Sequence, residues 1–178
     1  MLLKAEYTTL KDITGAERTC PYPGDGWYYS EVATTLFNGD GSQMNDNRGI
    51  VVGSGDAAED FEAYSLDSRI RAGYGSGQLY YDVTDQPAES NPADHVTHNE
   101  LTLSRRFVNY TDDPITIKEF GFYIQSTYSA GGDDAVAAYF MVLRDVLASP
   151  LVVLNGGEMG HEEPGQTGLI TLRMRTYL

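Results

Sequence analysis

Three short stretches of this chain bring together residue types that could do chemistry. In GIVVGSGDAAED (Gly49–Asp60) an apolar run leads into Gly53-x-Gly55-x-x-Ala58. That is the spacing with which a dinucleotide-binding turn lets its backbone approach a pyrophosphate at a helix N-terminus. The first turn of such a helix would carry Asp56, Glu59 and Asp60, which repel the anion the turn exists to bind, and no βαβ unit follows. The stretch reads as a glycine-rich strand end. DHVTHNE (Asp94–Glu100) offers His95 and His98 beside two carboxylates. On a strand, positions three apart face opposite sides, so the two imidazoles converge on a metal only if the segment turns. NGDGSQMND (Asn38–Asp46) begins like a calcium loop, with oxygens at Asn38, Asp40 and Ser42, but Gln43 stands where that loop needs glycine and Gly49 where it needs a bidentate carboxylate. What remains is an irregular structural site for a divalent cation, with Asp40 and Asp56 as its acidic ligands; the default for these acidic loops is a solvated turn. His95, His98, Asp40 and Asp56 are therefore the metal candidates.

Nothing else offers a catalytic foothold. There is no Gly-x-Ser-x-Gly, no Ser-His-Asp or Cys-His order stands out, and Glu162 and Glu163 are too close in sequence to flank a substrate. The single cysteine, Cys20, forbids an intrachain disulfide and reads as a bystander in an irregular loop. The expectation is a protein without catalytic residues or cofactor.

Charge narrows the partners. With 26 acidic against 12 basic residues the net charge is −14, which argues against nucleic acid and anionic membranes, both of which need clustered Lys and Arg. No apolar run is long enough to span a bilayer as a helix, so membrane insertion is not expected. The opening MLLKAEYTTLKD, broken by Lys4 and Glu6, does not read as a secretory signal.

The elements that must position these residues are strands. Turn signals such as PYPGDG, NGDGS, GYGSG, SNPAD, TDDP, SAGGDD and NGG recur at short spacing, and the runs between them are rich in Val, Ile, Thr, Tyr and Phe. This predicts an all-β antiparallel sandwich, of jelly-roll or immunoglobulin-like type. Strands are expected at 2–8, 27–37, 48–52, 77–83, 97–110, 115–127, 135–146, 151–154 and 168–178. The last alternates most cleanly, with Ile170, Leu172, Met174 and Leu178 on one side. The segment Gly55–Leu66 could hold a helical turn or two, and Asp133–Ala148 fits a helix or a buried strand, the strand being favoured. Residues 1–47 are Tyr-, Gly- and Pro-rich with weak periodicity, and read as an irregular arm reaching a neighbouring subunit; residues 48–178 read as the sandwich core. Thirteen tyrosines and one tryptophan cluster densely, and Trp27, Tyr28, Tyr29, Tyr80, Tyr81, Tyr123 and Tyr128 are the candidates for contact with other chains or glycans.

One hairpin draws attention. Pairing the runs on either side of YTDDP sets Asn109 opposite Ile115, Phe107 opposite Ile117, and Arg105 opposite Glu119. The two charges would then meet on the core face as a register latch, because a slipped register would strand each of them.

The order of GIVVGSG…YSLDSRI, RRFVNYTDDPITIKEFGFY, FMVLRDVLASPLVV and EPGQTGLITLRMRTYL, over Gly49 to Leu178, resembles small virion structural proteins of tailed viruses. Arg106 and Asn109 bracket Phe107 and Val108; Ile115, Ile117, Glu119 and Gly121 fit an I-x-I-x-E-x-G hairpin; Arg144 and Asp145 fit the strand that follows. The resemblance implies a non-enzymatic β-sandwich assembled in the host cytoplasm as a symmetric homo-oligomer with other virion proteins. It leaves open tail, baseplate, fibre base or capsid exterior. Scarce lysine and abundant aspartate fit a halophilic host. A receptor- or carbohydrate-binding sandwich, touching host-surface glycans through aromatic loops, is the alternative.

Overall fold

The computed structural model describes residues 7–21, 41–58, 60, 62–85, 98–129, 135–155 and 167–177. Among them every regular element is a strand: β1 (Tyr7–Lys11), β2 (Glu17–Pro21), β3 (Gly49–Gly53), β4 (Tyr80–Asp85), β5 (His98–Val108), β6 (Ile115–Ser129), β7 (Ala135–Val153) and β8 (Thr167–Tyr177). All named pairings are antiparallel: β1 with β2, β3-β6-β7 in one three-stranded sheet, β4-β5-β8 in another. The expected all-β fold is the observed one. Both three-stranded sheets feed one core, with Ile50, Val52, Ile117, Tyr123 and Phe140 from the first and Tyr81, Leu103, Phe107, Ile170 and Leu172 from the second. The strand expected at 27–37 lies outside the described residues.

The hairpin across YTDDP does not form. β5 pairs with β4 and β8 while β6 pairs with β3 and β7, so the segment 109–114 carries the chain from one sheet to the other. Asn109 makes that crossover. Its buried Nδ2 donates to the Asp113 carbonyl (2.8 Å) and to the Val153 carbonyl at the end of β7 (3.0 Å), while its Oδ1 accepts from Thr111 N (2.8 Å) and Thr111 Oγ1 (2.7 Å). The side chain thus supplies the bonds that a hairpin ladder would have given, and Arg105 and Glu119 end in different sheets.

β7 runs nineteen residues where two strands were expected, and no helix forms at Asp133–Ala148 among the described residues. It passes through Pro150, which lacks the ladder donor. Two circumstances tolerate it: among the described residues β7 is an edge strand, and its register against β6 jumps between Ile117 and Glu119, beside the proline. The segment 55–66 is likewise irregular rather than helical where described.

Within residues 1–47, the described parts touch the core of their own chain. The hairpin β1–β2 was not expected, and it places Cys20 on a strand rather than in a loop. Its tip docks through Ile13, whose N–H donates to the Tyr139 carbonyl of β7 (3.0 Å). Segment 41–47 is also tied in, with Met44 N–H on the Tyr81 carbonyl and the Gly41 carbonyl accepting from Thr84 N–H.

Asp12 shapes the hairpin tip. Its Oδ1 accepts from Thr14 N (2.8 Å), Thr14 Oγ1 (2.5 Å) and Ala16 N (3.2 Å), and its Oδ2 from Arg18 Nε (2.7 Å). Burial alone would raise this carboxyl, but the bonds from Thr14 and Arg18 outweigh it and hold it at about 2, against an ordinary 3.8. A carboxyl depressed in the folded state contributes stability that is complete above the unfolded value and lost as pH falls through the folded one. Asp12→Asn should therefore lower unfolding free energy by roughly 2 kcal/mol at neutral pH, and the gap between the two proteins should narrow as pH drops from 3.8 toward 2. Urea unfolding of both proteins across that range checks it.

Candidate functional site

Two buried charges organise the interior. Strand alternation turns Leu103, Arg105 and Phe107 of β5 inward, and the Arg105 guanidinium is wholly buried. It is met by backbone carbonyls: Nε donates to Asp82 O (2.7 Å), Nη1 to Arg48 O (3.0 Å) and Ile50 O (2.9 Å), and Nη2 to Ser42 O (2.8 Å). The Tyr81 ring lies under it, 4.8 Å from centroid to Cζ, and that ring meets Phe107 edge-on at 5.0 Å. Loss of hydration pulls the guanidinium down to about 10, which leaves it charged at neutral pH. Gly41 closes the pocket. A Cβ there would sit 2.8 Å from the Arg105 Cζ and 2.5 Å from the Arg48 carbonyl oxygen.

Glu119 is also wholly buried, on the face of β6 covered by the loop 54–68. Its Oε2 accepts from Arg144 Nε on β7 (2.9 Å) and Asp67 N (3.2 Å), its Oε1 from Ser68 N (2.8 Å). Arg144 continues the chain of bonds, donating to the carbonyls of Ala57 (3.0 Å) and Ala58 (3.1 Å). Both side chains are nearly or fully out of water. The glycines of the apparent dinucleotide fingerprint find their use here. A Cβ on Gly53 would collide with the Glu119 carboxylate, and one on Gly55 would lie 2.6 Å from its Oε1. Those glycines leave room for a protein carboxylate rather than for a pyrophosphate.

The register latch of Arg105 with Glu119 is thus corrected. Each is buried as expected, but each is satisfied separately, Arg105 by carbonyls and Glu119 by Arg144 and two backbone amides. Both side chains are wholly buried among these partners.

The interface candidates divide. Tyr81 and Tyr123 belong to the core. The Tyr81 hydroxyl donates to the Ile70 carbonyl (2.6 Å), and the Tyr123 hydroxyl accepts from Leu66 N (2.9 Å). Burial pushes the Tyr123 phenol up to about 12, and raises Tyr81 further. Both are inward because β alternation puts them on the packed face, which the density of tyrosines did not reveal. Tyr80, one residue before Tyr81, faces outward and gathers Tyr74 and Tyr110 around it, with ring centroids 5.8–5.9 Å apart. Trp27, Tyr28 and Tyr29 lie outside the described residues, as does the side chain of Tyr128.

Of the four metal candidates, only Asp56 has a described side chain. Asp56 is exposed and paired with Lys118 Nζ (2.9 Å), whose hydrogen bond and charge lower its pKa. Asp40 and His95 lie outside the described residues; His98 starts β5 opposite Tyr177, with its side chain undescribed. Among the described residues no three His, Cys, Asp or Glu side chains are grouped to hold an ion.

No protein-family model, curated protein or solved structure matches the chain.

The two charge centres make a separable forecast. Glu119→Ala should cost about 3–5 kcal/mol, since it leaves the Arg144 guanidinium buried without its partner. A double-mutant cycle should give a clear coupling between Glu119 and Arg144 and a value near zero between Glu119 and Arg105. Gly55→Ala should destabilise too, by pressing a methyl on the same carboxylate. Denaturant unfolding of the variants measures all three.

Proposed function

We propose that this protein is a non-enzymatic structural component of a tailed-virus particle, assembling with copies of itself and with other virion proteins. The observation that supports this most directly is β7. Its nineteen residues reach up to about 60 Å at ~3.3 Å per residue, and it forms the edge of its sheet. Among the described residues its ladder is made with β6 alone, apart from the bond from Ile13 to Tyr139. Val136, Val142 and Val152 are exposed along it, and Leu154 just beyond its end. A long edge strand with apolar side chains in water is a template for pairing with another chain. The buried charge centres fit the same role, because a subunit built identically many times gains from a fold that tolerates one register only. The sequence resemblance supplies the virion context, and the net charge of −14 speaks against a nucleic-acid role inside the particle.

Native mass spectrometry should find one closed oligomer rather than a monomer or an open series. Val142→Glu should shift it toward monomer, and at dilutions where the parent protein is also monomeric the two should unfold at the same midpoint, because Val142 is half exposed in the single subunit. A monomeric parent protein at high concentration would contradict the proposal.

A further inference from the structure

A tyrosine cluster outside the buried core lies at one end of the β4-β5-β8 sheet. Tyr74, Tyr80 and Tyr110 come from three separate segments: the turn before β4, the start of β4, and the crossover after β5. Their ring centroids form a near-equilateral triangle with sides of 5.9, 5.8 and 5.8 Å. Tyr74 is 46% exposed and the other two are half-buried. The segments that carry the rings are braced by their own hydrogen bonds. Gln78 Oε1 accepts from Gly75 N, Gly73 N bonds to the Leu79 carbonyl, and buried Asn109 fixes the loop that follows Tyr110. None of the three hydroxyls donates to a described residue.

An ion pair adjoins the rings. Arg106 Nε and Nη2 donate to Asp82 Oδ2 at 2.9 and 2.5 Å, and the Arg106 side chain is 55% exposed. Both charges lie close enough to act on the Tyr80 hydroxyl, which burial raises first, Asp82 raises further and Arg106 lowers.

We propose that Tyr74, Tyr80 and Tyr110, with Asp82 and Arg106, form a shallow binding site for a pyranose ring of a neutral glycan. A pyranose has an apolar C–H face and a rim of hydroxyls. The tyrosine rings match the face, and their hydroxyls, the Asp82 carboxylate and the Arg106 guanidinium match the rim. Rings already packed on one another lose little freedom when a ligand arrives. Asp82, the neighbouring Asp112 and Asp113, and the net charge of −14 disfavour an anionic sugar. A proline-rich peptide could also lie on such rings, but it has no hydroxyl rim to engage the ion pair.

The test is NMR of the tyrosine ring resonances during titration with the methyl pyranosides of glucose, galactose and mannose and with N-acetylglucosamine. At least one sugar should saturate, with a dissociation constant in the millimolar range and shifts at all three rings. Tyr74→Leu keeps apolar bulk but removes a ring, and should weaken binding tenfold or more with the unfolding midpoint unchanged; Asp82→Asn should weaken it several-fold. Absence of saturation by every sugar, shifts that spare the three rings, or undiminished binding by Tyr74→Leu would each overturn the proposal. So would saturation of the rings by a polyproline peptide and by no sugar. These outcomes are independent of oligomer state, which the mass measurement reads separately.

Discussion

A guanidinium removed from water loses hydration worth several kcal/mol, and only well-placed acceptors offset that loss. Around Arg105 the acceptors are four backbone carbonyls, those of Ser42, Arg48, Ile50 and Asp82. Three of these lie in residues 41–50 and the fourth on β4, so one side chain of β5 binds a loop, the start of β3 and its neighbouring strand. The planar fork suits this task because its donors diverge in fixed directions; an ammonium on a flexible stem does not reproduce them. The close approach of Gly41 and the tyrosine ring below complete a pocket with little tolerance for displacement.

The second charge centre does similar work on the other sheet. Glu119 and Arg144 tie β6 to β7, and through Ala57, Ala58, Asp67 and Ser68 they hold the loop 54–68 over the sheet. Buried pairs of this kind add little net stability compared with apolar packing, but they penalise wrong arrangements heavily. Together with Asn109 at the crossover they define how the two sheets are joined. The apolar core supplies the driving force, and the buried polar groups select one register.

Much of the fold could be read from residue patterns. Alternation located β6 and β8 closely, because each has a packed face that must stay apolar, while β3 showed as a short continuous apolar run and is buried throughout. Ile170 and Leu172 are buried while Leu169 and Thr171 are exposed, as the period of two requires. The burial of Arg105 and Glu119 was also legible, since their spacing put them in phase with core residues. Their partners were not. A five-residue loop can close a hairpin or cross between sheets, and only the long-range pairing of β5 with β8 and β6 with β3 decides between them. Carbonyl acceptors carry no residue-type signature, so the Arg105 pocket left no mark beyond Gly41. Gly53 and Gly55 did leave one, but two glycines look the same whether they make room for a phosphate or for a carboxylate. The tyrosine triangle was hidden for a related reason: Tyr74 and Tyr110 meet Tyr80 only after the sheet forms.

A locked interior carries an exposed apolar edge and an aromatic patch. A long apolar edge suits assembly, and an aromatic patch beside an ion pair suits recognition, but both depend on subunits that keep one shape. That dependence runs through Arg105. Native-state hydrogen exchange on Arg105→Lys tests it most directly. If Arg105 is the tether, the Met44 and Thr84 amides, which join residues 41–50 to β4, should lose protection by a large factor while the β6–β7 ladder keeps its own. Unchanged protection at Met44 and Thr84, or an equal loss everywhere, would contradict it.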